Sequence, residues 1–226
     1  MKNNKYVTNF SNHINLFFDN PFYYSNGKQR RAFFLDRDGV LIKDRHYISN
    51  PNEVSLEEGV LDFFSYLFDY GIPVVVITNQ SGIARGIFSW NDYELVTERL
   101  FQLLGNKNPI IGIFANGLKS NSFNNSWRKP NPDMIFAASY LLNIDIENSF
   151  LIGDRLTDIQ AADKAGIRNI IHVRTGHGKK ERENVEKFFM NQLHNQILSD
   201  KERKIMYCEN LNSYGQFFTK KYKKFL

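Results

Sequence analysis

Two aspartates two residues apart, Asp36 and Asp38, stand directly before Gly39 and form the first group able to do chemistry. Three more groups follow: Thr78-Asn79-Gln80, Arg128-Lys129, and Asp154 with Asp158. In extended chain, residues i and i+2 point to the same side, so Asp36 and Asp38 offer their carboxylates together. Gly39 lets the chain turn away at once. Asp154 adds a third carboxylate, and like charges so placed require something positive among them. An all-oxygen site with one or two carboxylates and several waters suits Mg²⁺. A carboxylate does not attack a phosphate dianion unaided; Mg²⁺ removes the repulsion and polarises the phosphoryl oxygens. Lys129 supplies a second positive charge and Thr78 a hydrogen-bond donor. Phosphoryl transfer needs mainly such positioning and charge neutralisation. Asp158 is open between a metal ligand, a partner of a ligand, and an acid in the first turn of a helix.

These residues can meet only if the chain brings them to one edge. From residue 32 onward, short apolar runs recur at Ala32–Leu35, Ile72–Ile77, Ile110–Phe114, Phe150–Ile152 and Asn169–Val173. They read as buried parallel strands. Helical patterns lie between them at Glu58–Tyr70, Trp90–Leu104, Pro132–Leu142 and Thr157–Ala165. Lys180–Leu198 reads as another helix, Lys204–Cys208 as an edge strand, and a last helix begins near Asn212. Alternation of this kind predicts an α/β three-layer sandwich around a mainly parallel, Rossmann-like sheet. In such sheets the ligand sits beyond the carboxyl ends of the strands. Asp36, Thr78 and Asp154 each follow a predicted strand, and Lys129 precedes a predicted helix, so all are expected to face one crevice.

The chain of 226 residues holds 14 glycines, one cysteine and a net charge of +5. Its length suffices for one well-cored domain. We expect an N-terminal arm over 1–30, rich in asparagine and aromatics, and a single domain over 31–226. The arm either packs on the domain or makes a dimer contact, so a monomer and a homodimer both stay open. With only Cys208, no intrachain disulfide can form, which fits a reducing cytoplasm. No long apolar run and no secretory pattern is present, so no membrane partner is expected. Residues 178–226 carry eleven Lys/Arg against six Asp/Glu, which is the whole net charge. We read this basic C-terminal part as solvated helix face. Nucleic acid is not an expected partner, because the Lys220–Lys224 run is short and broken by Tyr222.

Four stretches resemble the four motifs of the haloacid dehalogenase superfamily, in order: Phe34-Leu-Asp-Arg-Asp-Gly-Val40, Ile77-Thr-Asn79, Arg128-Lys-Pro130 and Gly153-Asp-Arg-Leu-Thr-Asp158. The resemblance spans about residues 32–175. It implies Asp36 as nucleophile and Asp38 as general acid/base, with Thr78 and Lys129 holding the transferring phosphoryl group. It also implies Mg²⁺ bound by the Asp36 carboxylate, the Asp38 backbone carbonyl and Asp154, with Asp158 beside them.

An acid two residues after the nucleophile can protonate a leaving alkoxide and then deprotonate water. No cap domain fits between the motifs, so the site should be open and hydrolysis its outcome. The loops Asp36-Arg-Asp-Gly39, Tyr47 and Thr78–Gly86 resemble the capless branch of the superfamily. That branch includes D-glycero-D-manno-heptose 1,7-bisphosphate 7-phosphatases and histidinol-phosphate phosphatases. Asn79, Gln80, Arg85 and Arg128 are then candidates to bind substrate, and His46 lies in the flap before Tyr47. The two arginines favour a phosphorylated sugar carrying a second phosphate. Both groups often carry a Cys/His zinc loop before the third motif; here residues 116–127 contain neither residue type, so no zinc is expected. A nucleic-acid 3′-end phosphatase, or a binding protein on this scaffold, is the alternative from another class.

Overall fold

A computed structural model describes residues 6–9, 14–17, 29–119, 127–195 and 203–222. Among the described residues the eight strands are β1 (Tyr6–Asn9), β2 (Ile14–Phe17), β3 (Phe33–Leu35), β4 (Val74–Asn79), β5 (Ile110–Asn116), β6 (Phe150–Gly153), β7 (Asn169–Val173) and β8 (Lys204–Cys208). They form one sheet in the order β1-β2-β5-β4-β3-β6-β7-β8. The six strands β3 to β8 run parallel, and β1 and β2 add an antiparallel hairpin against β5. The helices are α1 (Val60–Asp69), α2 (Trp90–Leu104), α3 (Asp133–Leu142), α4 (Leu156–Ala165), α5 (Gly178–Asn195) and α6 (Leu211–Tyr222).

Strand alternation divides the core into two layers. Phe33, Leu35, Val74 and Val76 join α1, α2 and α6 on one face. Phe34, Val75 and Ile77 join α3, α4 and α5 on the other. Burial on both faces explains why these strands read as continuous apolar runs. The α/β three-layer sandwich expected from sequence is the architecture observed. Local signals agree with it: Ser89 and Asp92 cap α2 reciprocally, with the Asp92 N–H donating to Ser89 Oγ and the Ser89 N–H to Asp92 Oδ2. The chain moves outward from β3 through β4 to β5, then returns to β6 on the other side. The carboxyl ends of β3 and β6 therefore flank the switch point, where ligands of open α/β sheets bind.

Both ends of the chain differ from a plain arm and a plain tail. Residues 6–9 and 14–17 extend the sheet, and Phe17 is buried 4.8 Å from the Phe101 ring. Phe10, Phe18, Phe22, Tyr23 and Tyr24 lie outside the described residues. At the other end, β8 pairs with β7 and α6 closes one face of the sheet. Arg182 of α5 points inward, donating to His172 Nδ1 and to the carbonyls of His172 and Cys208. The excess charge thus includes a cation spent on packing the last strand. Cys208 is half-buried against the core, and burial pushes its thiol up to about 11. No helix among the described residues is long and apolar enough to cross a membrane.

Phe218 of α6 meets Phe33, Phe63, Phe150, Tyr66 and Tyr214 at centroid distances of 5.3 to 6.4 Å. It is 3% exposed. Phe218→Ala should cost about 3–5 kcal/mol, because such a cluster cannot collapse around the missing ring. Urea unfolding checks this, and a loss below about 1 kcal/mol would detach α6 from the core.

Candidate active site

β3 stops at Leu35, and the next residues build the floor of a cavity of about 820 Å³. Asp36, Asp38, Thr78, Asn79, Gln80, Lys129 and Asp158 all line it, as do Arg85 and Arg128. Its size is that of a pocket for a small-molecule ligand. The carboxylates of Asp36, Asp154 and Asp158 converge, each offering an oxygen within 4.8 Å of the others. All three are buried. Each pair of charges at that spacing repels by about 3 kcal/mol or more at an effective dielectric near 20.

Lys129 answers part of that repulsion. Its buried Nζ lies 3.0 Å from Asp36 Oδ1 and 2.7 Å from Asp158 Oδ1, and donates to the Ile77 carbonyl at 2.8 Å. Burial pulls the ammonium down, but Asp158 and Asp36 outweigh it and the net shift is upward. Asp154 receives less. The His177 N–H donates to its Oδ2 at 2.7 Å, while its Oδ1 is buried without a hydrogen-bond partner among the described residues. Burial first, then Asp158 and Asp36, hold its carboxyl well above the usual range. A buried orphan oxygen facing two more carboxylates is the donor set of a hard divalent cation, so these residues fit Mg²⁺. Two glycines keep the space open. Gly39, at φ +86°, would bring a Cβ to 2.5 Å from Asp154 Oδ2, and a Cβ on Gly176 would strike the same oxygen.

Asp38 faces the cavity in other company. Arg37 holds it through Nε to Oδ2 at 3.1 Å and Nη2 to Oδ1 at 3.2 Å. The guanidinium is buried 4.8 Å from the centre of the Tyr93 ring. Gln80 Nε2 donates to Asp38 Oδ2 at 2.8 Å and to Thr78 Oγ1 at 2.7 Å, and its Oε1 accepts from Arg37. Asn79 accepts from the Lys129 N–H and donates to the Lys129 carbonyl, both at 3.1 Å. Expected as substrate contacts, these two amides are bonded to the protein: one aligns Asp38 with Thr78, the other fixes the Lys129 backbone. Arg85 lies over the Tyr47 ring at 5.8 Å, and Arg128 donates to the Leu118 carbonyl at 3.3 Å.

Sequence reading missed Arg37, Arg155, Asp44 and His177, which also line the cavity. Arg37 and Arg155 each stand beside a motif aspartate, and that adjacency was the available signal. His172 was missed too. Its Nδ1 accepts from Arg182, so its Nε2 carries the proton and donates to the Asp154 carbonyl at 3.1 Å. Burial, and then Arg182, push this imidazole down to about 4. Residues 120–126, most of the stretch without cysteine or histidine, lie outside the described residues. Trp127 stacks on Phe114 with ring centres 6.3 Å apart.

The crowding has a pH signature. Burial raises Asp36 from 3.8 to about 6; Lys129 opposes this, while Asp158 and Asp38 add to it. A carboxyl so raised stabilises the fold when protonated, fully below about pH 4, and loses that contribution as pH climbs through about 6. With a chelator present, Asp36→Asn should therefore be more stable than the parent above pH 6, by about 3 kcal/mol. The two should converge below about pH 4. Urea unfolding across that range tests the sign; a variant less stable at pH 7 would mean Lys129 wins over burial.

The chain is similar to known proteins along most of its length. The HAD-hydrolase-like family model matches residues 126–199. The D-glycero-beta-D-manno-heptose-1,7-bisphosphate 7-phosphatase of Mesorhizobium japonicum is 37% identical over 60% of this chain and 66% of its own. The corresponding alpha-heptose enzyme of Photorhabdus laumondii is 36% identical over 67% of this chain and 86% of its own. Among solved structures, the D,D-heptose 1,7-bisphosphate phosphatase of B. bronchiseptica, complexed with magnesium and phosphate, superposes with a TM-score of 0.69. It is 27% identical and covers 84% of this chain and 98% of that one. Four motifs on four segments, one cavity and relatives aligned over most of their length agree: the chain belongs to the haloacid dehalogenase-like hydrolase family, alongside the heptose bisphosphate phosphatases.

Proposed function

We propose that this protein is a Mg²⁺-dependent phosphatase that removes the 7-phosphate of D-glycero-D-manno-heptose 1,7-bisphosphate through an aspartyl phosphate on Asp36. The observation that carries the reading is the buried carboxylate group Asp36, Asp154 and Asp158 with Lys129, of which Asp36, Asp158 and Lys129 line the floor of an arginine-walled cavity. The names of its relatives support the substrate. Because those names include both anomers, the reading covers the heptose 1,7-bisphosphate and leaves its anomer free.

Asp36, Asp154 and the Asp38 carbonyl would hold Mg²⁺, with Asp158 positioned by Lys129 beside them. When bound, the ion neutralises the carboxylates and polarises the phosphoryl oxygens. Asp36 attacks phosphorus as the bond to the sugar oxygen breaks, and the electron pair leaves on that oxygen. Asp38 gives it a proton. Water then attacks the phosphoaspartate, Asp38 takes the water's proton, and the Asp36–phosphorus bond breaks. Lys129 Nζ and Thr78 Oγ donate to the phosphoryl oxygens throughout. Gln80 ties Asp38 to Thr78, so the acid and the phosphoryl donor move as one unit.

Arg85 and Arg128 suit the phosphate that stays on the sugar. Arg128 is pulled below its usual range by partial burial and then by Arg155 and Arg85, the sign of a cluster of cations awaiting an anion. Histidinol phosphate, the second reading, carries an ammonium that this wall repels. A comparison of kcat/KM on the two heptose bisphosphates, histidinol phosphate, 3′-phosphorylated DNA and an aryl phosphate tests the assignment. The heptose bisphosphates should rank first. Arg85→Ala or Arg128→Ala should lower their kcat/KM about tenfold to a hundredfold, the worth of one charge-assisted contact, and spare the aryl phosphate. Equal losses on both substrates would move the arginines to the reacting group or to the fold.

A further inference from the structure

A second cluster of ligating side chains stands in the same cavity, apart from the carboxylate group. Asp44 and His46 come from the flap after β3, and His177 from the turn between β7 and α5. Each offers one ligand atom, and the three atoms lie within 4.8 Å of one another. His177 Nε2 is 2.9 Å from Asp44 Oδ2, and the His46 N–H donates to Asp44 Oδ1 at 3.0 Å. The two imidazole ring centres are 6.2 Å apart, with the rings tilted by 54°. His46 and Tyr47 are consecutive non-glycine residues at φ +48° and +60°. Such strain persists only where the surroundings hold it, and here it aims the His46 ring at His177.

We propose that Asp44, His46 and His177 form a binding site for a nitrogen-preferring divalent cation of the Zn²⁺ type, distinct from the all-oxygen Mg²⁺ site. Imidazole suits zinc, while carboxylate and water suit magnesium, so the two sites sort cations by ligand chemistry. Two histidines and one carboxylate leave a coordination position open to solvent, as in zinc sites with three protein ligands. Zinc ligands at about 2.0–2.2 Å from the ion lie about 3.5 Å apart in a tetrahedron, so modest side-chain turns close the present spacing. Burial raises the Asp44 carboxyl, but the His46 N–H, His177 and Arg155 outweigh this and the net shift is downward. Arg155 Nη2, 3.3 Å from Asp44 Oδ2, is the competing cation that the metal must displace or share with.

The site joins two walls of the cavity. A cation there clasps the flap to the β7–α5 turn, whose His177 N–H also holds Asp154. Filling it would narrow the way to Asp36. The sequence led to an expectation of no zinc, because residues 116–127 lack cysteine and histidine; the proposed site departs from that expectation and uses neither thiolate nor that stretch.

Equilibrium dialysis of the full chain against Zn²⁺ in excess Mg²⁺, followed by metal analysis, tests the site without using the phosphatase reading. The parent and Asp36→Asn should each retain one zinc. His46→Asn, which tolerates the same backbone, and His177→Asn should bind zinc at least about tenfold more weakly, since even outer partners of a metal are worth that much. Loss of zinc by Asp36→Asn, retention by both histidine variants, or no zinc in the parent would overturn the site. In the parent, zinc should shift the ring signals of His46 and His177 in NMR spectra and leave His172 in place; unmoved His46 and His177 signals would overturn it too. Zinc should also lower kcat/KM in excess Mg²⁺, with His46→Asn relieved. Unchanged kinetics with zinc bound would overturn the clasp.

Discussion

Three buried carboxylates share one buried ammonium at the head of the sheet, and the surrounding structure answers that imbalance. Lys129 reaches Asp36 and Asp158, while Asp154 keeps an oxygen without a hydrogen-bond partner among the described residues. Replacing one acid relieves repulsion; filling the gap with a divalent cation relieves it further and leaves all three acids ionised. The preference for a cation is therefore built into the apoprotein as an electrostatic deficit, and Asp36 and Asp154 register it in their raised carboxyls.

Topology concentrates these charges without loops long enough to wander. Asp36 and Asp154 follow neighbouring parallel strands, so the register of Leu35 with Ile152 brings the two acids to within one residue of the same level. Asp158 lies in the first turn of α4 and reaches back to the Arg155 N–H. Gly39 and Gly176 let two turns pass over Asp154 where any side chain would collide. Behind this layer, His172 and Arg182 tie the Asp154 backbone to the last strand. A change near Cys208 can in this way reach the carboxylate group without touching it.

Much of this was legible in the sequence because strands buried on both faces declare themselves. Phe34, Val75 and Leu151 have apolar neighbours on both sides, and the polar residues begin at the strand ends: Asp36 just after β3, Thr78 and Asn79 as the last residues of β4, and Asp154 just after β6. Asp36, Asp38, Thr78, Asp154 and Asp158 were found by that break in pattern, and Lys129 by its place ahead of a predicted helix. The β1–β2 hairpin was not legible, since its pairing with β5 depends on contacts a hundred residues away and its asparagines mimic a loop. Arg37 and Arg182 were hidden by composition: an arginine reads as surface unless its carboxylate, carbonyl or aromatic partners are known. Asn79 and Gln80 were located, but the bonds that commit their amides to Lys129, Asp38 and Thr78 appear only in three dimensions.

In the proposed mechanism the site separates two tasks between two acids. Asp36 sits with Lys129 and the carboxylate group, while Asp38 sits with Arg37 and Gln80 on the wall of the cavity. Rapid quenching of Asp38→Asn with an isotopically labelled aryl phosphate tests that division most directly. The account predicts a burst of labelled enzyme, with the acyl phosphate on Asp36 alone, because attack proceeds and water lacks its base. No labelled enzyme, or a label on another residue, would contradict it.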